Sequence, residues 1–188
     1  MRAFIAISLP PSAKDSLATI QKKLQAYKAD VRWVEPKNIH LTLRFLGEIT
    51  DDMARSITTI LDENAKGIAP YPISLSSLGA FPTISAARVI WIGLNKGAQE
   101  TTYLANLVEK QLSALGIPEA EKPFSAHITL GRLRSPAGSN KLKEALQNKI
   151  TLSGNIEFQV GCITLFKSTL TPTGPVYEIV SSASLATI

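Results

Sequence analysis

The chain has two histidines, and each opens the same pattern: "HLTL" from His40 and "HITL" from His127. In an extended strand alternate side chains share a face. His40 and Thr42 therefore project together while Leu41 and Leu43 turn toward a core, and His127 and Thr129 share a face opposite Ile128 and Leu130. Each motif presents an imidazole and a hydroxyl about 6 to 7 Å apart along its strand. Imidazole is the side chain best matched to proton transfer near neutral pH, so one histidine can act as base and the other as acid. Threonine hydroxyls are neutral donors able to hold anionic oxygens. Two such units suit a phosphodiester: water enters on one side of phosphorus, an alcohol leaves opposite, and the equatorial oxygens lie between the hydroxyls.

A lone His-x-Thr would read as an ordinary strand, where threonine is frequent. The outer context argues otherwise, because proline precedes each histidine by four residues (Pro36, Pro123) and leucine follows each by six (Leu46, Leu133). Each histidine strand also lies between two predicted helices. The simplest arrangement is two similar lobes about a pseudo-two-fold axis, one histidine strand in each, facing across a groove.

The elements that must position these strands follow from hydrophobic periodicity. "RAFIAIS" alternates and is a strand, with Ala3, Ile5 and Ile7 on one side and Arg2, Phe4, Ala6 and Ser8 on the other. From Ser12, a candidate N-cap, to about Tyr27, Leu17, Ile20 and Leu24 recur at helical spacing. "VRWV" and "IHLTLRFL" are strands joined through residues 35–38. "TDDMARSITTILDENAK" is a helix capped by Thr50 or Asp51, with Met53, Ile57, Ile60 and Leu61 as its apolar stripe. "YPISLSSLGAF" and "ARVIWIGLN" are strands, and a third helix over about 98–115 is closed by Gly116 and Pro118. "FSAHITLGRL" is a strand and "SNKLKEALQNK" a short helix, while "TLSGNIEFQVGCITLFKS" and "VYEIVSSASL" end the chain as β-structure. Strands adjacent in sequence favour an antiparallel α+β fold over a doubly wound parallel sheet. The expectation is one bilobal domain over residues 1–188, with two sheets facing a central groove and helices outside.

At 188 residues and 45% hydrophobic content the chain can bury a proper core. Its single cysteine, Cys162, cannot form an internal disulfide, is expected to pack as a small buried hydrophobe, and fits a reducing cytoplasm. "MRAFIAISLPP" reads as a first strand rather than a leader, because the apolar run stops at Pro10-Pro11 without a small-residue cleavage site. There is no uninterrupted apolar stretch of the ~20 residues that would cross a bilayer. A net charge of +5, dispersed, favours a polyanionic partner without demanding one. There is neither a Gly-Lys-Ser/Thr phosphate loop nor a Gly-x-Ser-x-Gly element. Two histidines, one cysteine and no compact carboxylate cluster imply no metal, and no cofactor is expected.

The paired tetrapeptides resemble those of the two-histidine phosphoesterase superfamily. More closely, "MRAFIAISLP", "VRWVEPKNIHLTLRFLGEI", "LGAFPT", "RVIWIGL" and "PFSAHITLGR" resemble the RNA 2′,3′-cyclic phosphodiesterases, historically called 2′-5′ RNA ligases. The resemblance runs in order from the first residue to about Arg132. It implies hydrolysis of RNA 2′,3′-cyclic phosphate ends to 2′-phosphomonoesters, and joining of tRNA halves through a 2′-5′ linkage as the chemical reverse. It further implies His40 as proton donor to the departing 3′ oxygen, His127 as the base that activates water, and Thr42 and Thr129 as holders of the phosphoryl oxygens. The partners expected are RNA ends, tRNA halves or nucleoside cyclic phosphates, met by a monomeric chain.

Residues around the motifs leave choices open. Alternation puts Arg44 on the face of His40 and Thr42, either reaching a phosphate or standing as a solvated strand-end charge. Strict alternation sends Arg132 toward the core, which a guanidinium avoids; Gly131 is a candidate bulge that would re-aim it, and the resemblance implies a phosphate or substrate contact. Phe4 either borders the groove and stacks on a base or packs beneath a helix, and Trp33 is similarly open. Phe81 and Trp91 are assigned to the core. Two alternatives stand beside the cyclic phosphodiesterase: the same chemistry on another cyclic or 2′-5′-linked nucleotide, and a non-catalytic RNA- or nucleotide-binding module.

Overall fold

A computed structural model describes residues 1–148 and 155–186. Along the chain run β1 (Arg2–Ser8), α1 (Pro11–Gln25), β2 (Val31–Trp33), a 3-10 turn (Pro36–Asn38), β3 (His40–Glu48), α2 (Asp51–Ala65), β4 (Tyr71–Phe81), β5 (Val89–Lys96), α3 (Ala98–Ala114), β6 (His127–Leu133), α4 (Ser139–Gln147), β7 (Glu157–Val160), β8 (Cys162–Thr171) and β9 (Gly174–Ser184). The expected elements are present, with small corrections. Pro10 stands at the N-cap of α1 and Pro11 occupies its first turn, which displaces Ser12 from the cap. Proline's fixed φ and missing N–H suit that position. Thr50 does cap α2, its hydroxyl accepting from the Met53 N–H at 3.1 Å. Cys162 is half-buried rather than buried. Residues 151–154 of the anticipated β stretch, and Lys149 of the short helix, lie outside the described residues. No described helix is long and apolar enough to cross a membrane.

The strands form two antiparallel sheets, ordered β3-β1-β8-β9 and β2-β6-β5-β4-β7. This is the α+β arrangement expected, and the repeat is visible in it: β3 lies beside β1 with α1 between them in sequence, and β6 lies beside β5 with α3 between them. The next strand of each repeat crosses over. β4 follows α2 but pairs with β5 in the second sheet, while β8 follows α4 and β7 but pairs with β1 in the first. Strand exchange of this kind ties the two halves together, since neither sheet is complete without a strand from the other repeat. Apolar residues of both sheets and of the helices, including Ile5, Leu17, Leu41, Ile57, Leu104 and Ile128, join one core cluster.

The histidine strands depart from strict alternation at the same place. Ile5 and Ala6 of β1 face Arg44 and Thr42 of β3, which leaves Leu43 as an extra residue. Ile90 and Trp91 of β5 face Gly131 and Thr129 of β6, which leaves Leu130 extra. Each bulge comes three residues after its histidine. A bulge leaves a residue unpaired and re-aims those that follow. In β6 the expected bulge beside Gly131 is therefore present, and it delivers Arg132 to the exposed face. Gly131 is also required for packing, because a Cβ there would lie 2.7 Å from Val31 Cγ1 and 3.0 Å from the Trp33 ring.

The β6 bulge is braced from α1. Gln21, 3% exposed on the apolar face of that helix, donates through Nε2 to the carbonyls of Val34 and Leu130, each at 2.8 Å. The Val34 N–H donates to the same Leu130 carbonyl at 2.9 Å. Replacing Gln21 by leucine keeps the bulk and leaves the Val34 carbonyl without its side-chain donor. Gln21→Leu is expected to lower stability by about 1–3 kcal/mol, read from urea unfolding. An unchanged midpoint would show that the brace contributes nothing.

Candidate functional site

The two histidine strands belong to different sheets and lie against each other, β3 beside β6. Two adjoining cavities follow the groove between the sheets. One, of about 630 Å³, is lined by His40; the other, of about 560 Å³, by His127. Thr42, Phe45, Thr129 and Arg132 line both and so form the middle of the groove. The sequence motifs thus converge on one space, with an imidazole toward each end and the hydroxyls between them. Neither threonine hydroxyl is held by another described residue, so both are free to donate into the groove.

The histidines are held alike. His40 Nδ1 lies 2.7 Å from the Asn38 carbonyl and His127 Nδ1 lies 2.7 Å from the Ser125 carbonyl, two residues upstream in each case. A carbonyl can only accept, so Nδ1 carries the proton and Nε2 of the neutral ring presents its lone pair. Asn38 is itself buried and anchored, its Nδ2 donating to the Pro175 carbonyl at 2.8 Å. Aromatic rings pack against both imidazoles. His40 lies 4.8 Å from the Phe4 ring and 5.4 Å, edge-on, from Tyr177. His127 meets the edge of Phe81 at 4.9 Å and Trp91 at 6.2 Å.

Those surroundings decide the titration. Burial pushes the His40 imidazole below its ordinary value; the hydrogen bond to Asn38 acts against it, and the charge of Lys14 adds to it. Burial likewise pushes His127 down, opposed by the bond to Ser125 and reinforced by the Arg132 charge. Among the described residues no three His, Cys, Asp or Glu side chains gather into a metal site.

Several expectations for the surrounding residues are corrected. Arg44 follows the bulge at Leu43 and is engaged by α3. There its Nε pairs with Glu109 at 2.7 Å, and its terminal nitrogens donate to the carbonyls of Phe45 and Pro118. It is ion-paired rather than a solvated charge, and it borders the His127 cavity. The groove position passes to Phe45, 59% exposed. Phe45 follows its histidine by five residues, as Arg132 follows His127, so the pseudo-symmetry sets a phenyl ring against a guanidinium.

Phe4 lines the His40 cavity but is 3% exposed, stacked 5.1 Å from Phe166. It forms a floor under His40 and has no open face for a base. Phe81 and Trp91 are half-buried and pack on His127 instead of filling the core. Trp33 is half-buried on the wall of the His40 cavity. Gln21, Phe45, Phe166 and Tyr177 carry no weight in the sequence reading. A signal existed only for Gln21, a polar residue on an otherwise apolar helical stripe; Phe166 and Tyr177 reach His40 from β8 and β9, far away in sequence.

Comparison with known proteins agrees with this geometry. Residues 7–91 and 92–177 each match the family described as LigT like phosphoesterase, so the internal repeat is a repeat of one family unit. An RNA 2′,3′-cyclic phosphodiesterase of Aquifex aeolicus is 36% identical over 181 residues, covering 96% of this chain and 95% of that protein. One from Methanocaldococcus jannaschii is 34% identical over 186 residues, covering 96% and 98%. A crystal structure from Thermus thermophilus superposes with a TM-score of 0.81 at 29% identity over 98% of both chains. The crystal structure of Escherichia coli LigT complexed with 3′-AMP does so with 0.80 at 25% identity, over 98% of this chain and 97% of that one.

Both imidazoles are favoured as neutral rings, so their contribution to stability is fully present above the unfolded value of about 6.5 and is lost as pH falls through the lower folded values. Titration of the two imidazole Cε1–H resonances should give two midpoints below that value. A midpoint at or above it for either histidine would mean that its bed of aromatic rings does not exclude water as described.

Proposed function

The chain belongs to the LigT like phosphoesterase family, and on that premise we propose that residues 1–188 act as one domain that hydrolyses RNA 2′,3′-cyclic phosphate ends to 2′-phosphomonoesters. The observation that carries the reading is the matched pair of imidazoles, each with Nδ1 tied to a backbone carbonyl and Nε2 left for the groove. A binding module needs no such matching of tautomers. Curated relatives of near-equal length, named RNA 2′,3′-cyclic phosphodiesterases, support the same substrate class.

In this mechanism His127 Nε2 takes a proton from water as the water oxygen bonds to phosphorus. The bond from phosphorus to the 3′ oxygen breaks, and that oxygen takes a proton from His40 Nε2. The product carries a 2′-phosphate and a free 3′-hydroxyl; solvent returns the proton from His127 to His40. Thr42 and Thr129 donate to the non-bridging oxygens, where charge builds in the transition state, and Arg132 offsets that charge. A base finds an exposed ring on Phe45 rather than on Phe4. With a 5′-hydroxyl of a second RNA in the place of water, the same displacement, with the 3′ oxygen leaving, forms a 2′-5′ linkage. No step calls for a metal, so a chelator should leave the rate unchanged.

One ring must start protonated and the other neutral, which gives a bell-shaped pH dependence of kcat/KM. The fraction in the required state peaks midway between the two values whichever ring is the acid. Since burial lowers both, the maximum should fall on the acid side of pH 6.5, the ordinary imidazole value. A plateau extending through pH 9 would refute the pair.

His40→Ala and His127→Ala should each slow turnover by about 10²- to 10⁴-fold. A cyclic substrate with sulfur in place of the bridging 3′ oxygen separates the roles, because a thiolate leaves without a proton. His40→Ala should regain most of its rate on that substrate and His127→Ala should not. Equal recovery by both would remove the assignment.

A further inference from the structure

The in-line geometry of phosphoryl displacement places the entering and leaving oxygens at opposite apices of phosphorus. In a 2′,3′-cyclic phosphate both ester oxygens belong to one ribose. That ribose, and every nucleotide attached to its 5′ side, must therefore lie on the side of the leaving oxygen, and water or another nucleophile must enter from the other side.

The two ends of the groove differ in charge. The cavity beside His40 is lined by Arg2, Arg32, Arg132 and Arg134, all exposed. None of the four has an ion pair or a side-chain hydrogen bond among the described residues. The carboxylate on this wall is Glu35, and it pairs with Lys37 at 3.0 Å. Beside His127, apart from Arg132, which lines both cavities, the positive groups are matched in number: Glu109 and Glu119 line that cavity together with Arg44 and Lys122, and Glu109 holds Arg44.

Strand pairing adds an independent observation. Arg32 of β2 stands directly opposite Arg132 of β6. Like charges facing each other across an antiparallel pair are destabilising, and no carboxylate among the described residues forms an ion pair with either. On the facing sheet Arg2 and Arg132 both act to lower the Tyr177 phenol, against the larger effect of burial that raises it. The guanidinium groups thus surround one wall of a cavity whose volume, about 630 Å³, is within the usual range for ligand pockets of about 300–1,000 Å³.

We propose that the His40 cavity is the track for the RNA chain upstream of the cyclic phosphate, with Arg2, Arg32 and Arg134 forming a subsite for the next phosphodiester. The proposal rests on the hydrolytic reading above and deepens it: the preferred substrate is an oligonucleotide end rather than a mononucleotide. It also gives the acid and base assignment a ground within this chain. Were the roles reversed, the polyanion would lie against Glu109 and Glu119, beside an arginine that is already neutralised.

The test compares cytidine 2′,3′-cyclic phosphate with the dinucleotide CpC ending in the same cyclic phosphate, which adds one 5′ phosphodiester. The wild-type ratio of kcat/KM, dinucleotide over mononucleotide, should be roughly tenfold or more, the scale of one charge-assisted hydrogen bond, and should shrink as salt rises. In the double variant Arg32→Gln with Arg134→Gln the ratio should fall toward one. Its thermal midpoint should not drop, since a repulsion is removed. Lys122→Gln on the opposite side should leave the ratio as in wild type. A wild-type ratio near one, or a fall with Lys122→Gln as large as with the arginine pair, overturns the track. Failure of the wild type to turn over either compound overturns the hydrolytic reading itself.

Discussion

A single strand can present an imidazole and a hydroxyl on one face, but it cannot put two imidazoles on opposite sides of one phosphorus. That requirement demands two strands from separate sheets held face to face, and everything else in the fold serves the juxtaposition of β3 and β6. Strand exchange is the main device, with β4 lent to the second sheet and β8 to the first. Side chains complete it. Gln21 of α1 reaches the bulge of β6, and Glu109 of α3 holds Arg44 beside the bulge of β3. The helix of each repeat thus grips the histidine strand of the other.

The bulges are the second constraint. A regular strand would carry Arg44 into the groove and bury Arg132 among Ile128 and Leu130. The bulge in β6 delivers Arg132 to the exposed face, and the one at Leu43 precedes an Arg44 that is held by Glu109. The chemical symmetry is also broken, because the equivalent groove positions hold Phe45 and Arg132. A symmetric pair of imidazoles and hydroxyls is thereby set in an asymmetric groove, with a phenyl ring at one equivalent position and a guanidinium at the other. A substrate with a base at one place and phosphates at another needs such a difference in order to bind in one direction.

Electrostatics ties the two levels together. Aromatic rings pack against both half-buried imidazoles, and partial burial favours their neutral forms, which suits a base and works against an acid. A phosphate beside an imidazolium would oppose that effect by stabilising its charge. The exposed guanidinium groups of Arg2, Arg32 and Arg134 line the His40 cavity. The groove thus combines a pair of half-buried imidazoles with a set of exposed guanidinium groups.

Much of this was legible in one dimension. The two His-x-Thr units, the repeat of proline and leucine around them, and the change of period from strand to helix are local patterns. They set the chemistry, the α+β class and the number of histidine strands, because side-chain alternation and helical spacing are properties of short segments. Even the bulge at Gly131 left a trace, a glycine followed by an arginine that alternation would have buried. The matching bulge at Leu43 leaves none, so nothing in the sequence singles out Phe45. Likewise, nothing local says that Phe166 and Tyr177 lie against His40, that Phe81 and Trp91 serve His127 rather than the core, or that Arg2 and Arg32 border one cavity. Those facts depend on which strands cross between sheets, and strand exchange is decided by packing over the whole chain: only there does the burial of one repeat's apolar face against the other select a partner.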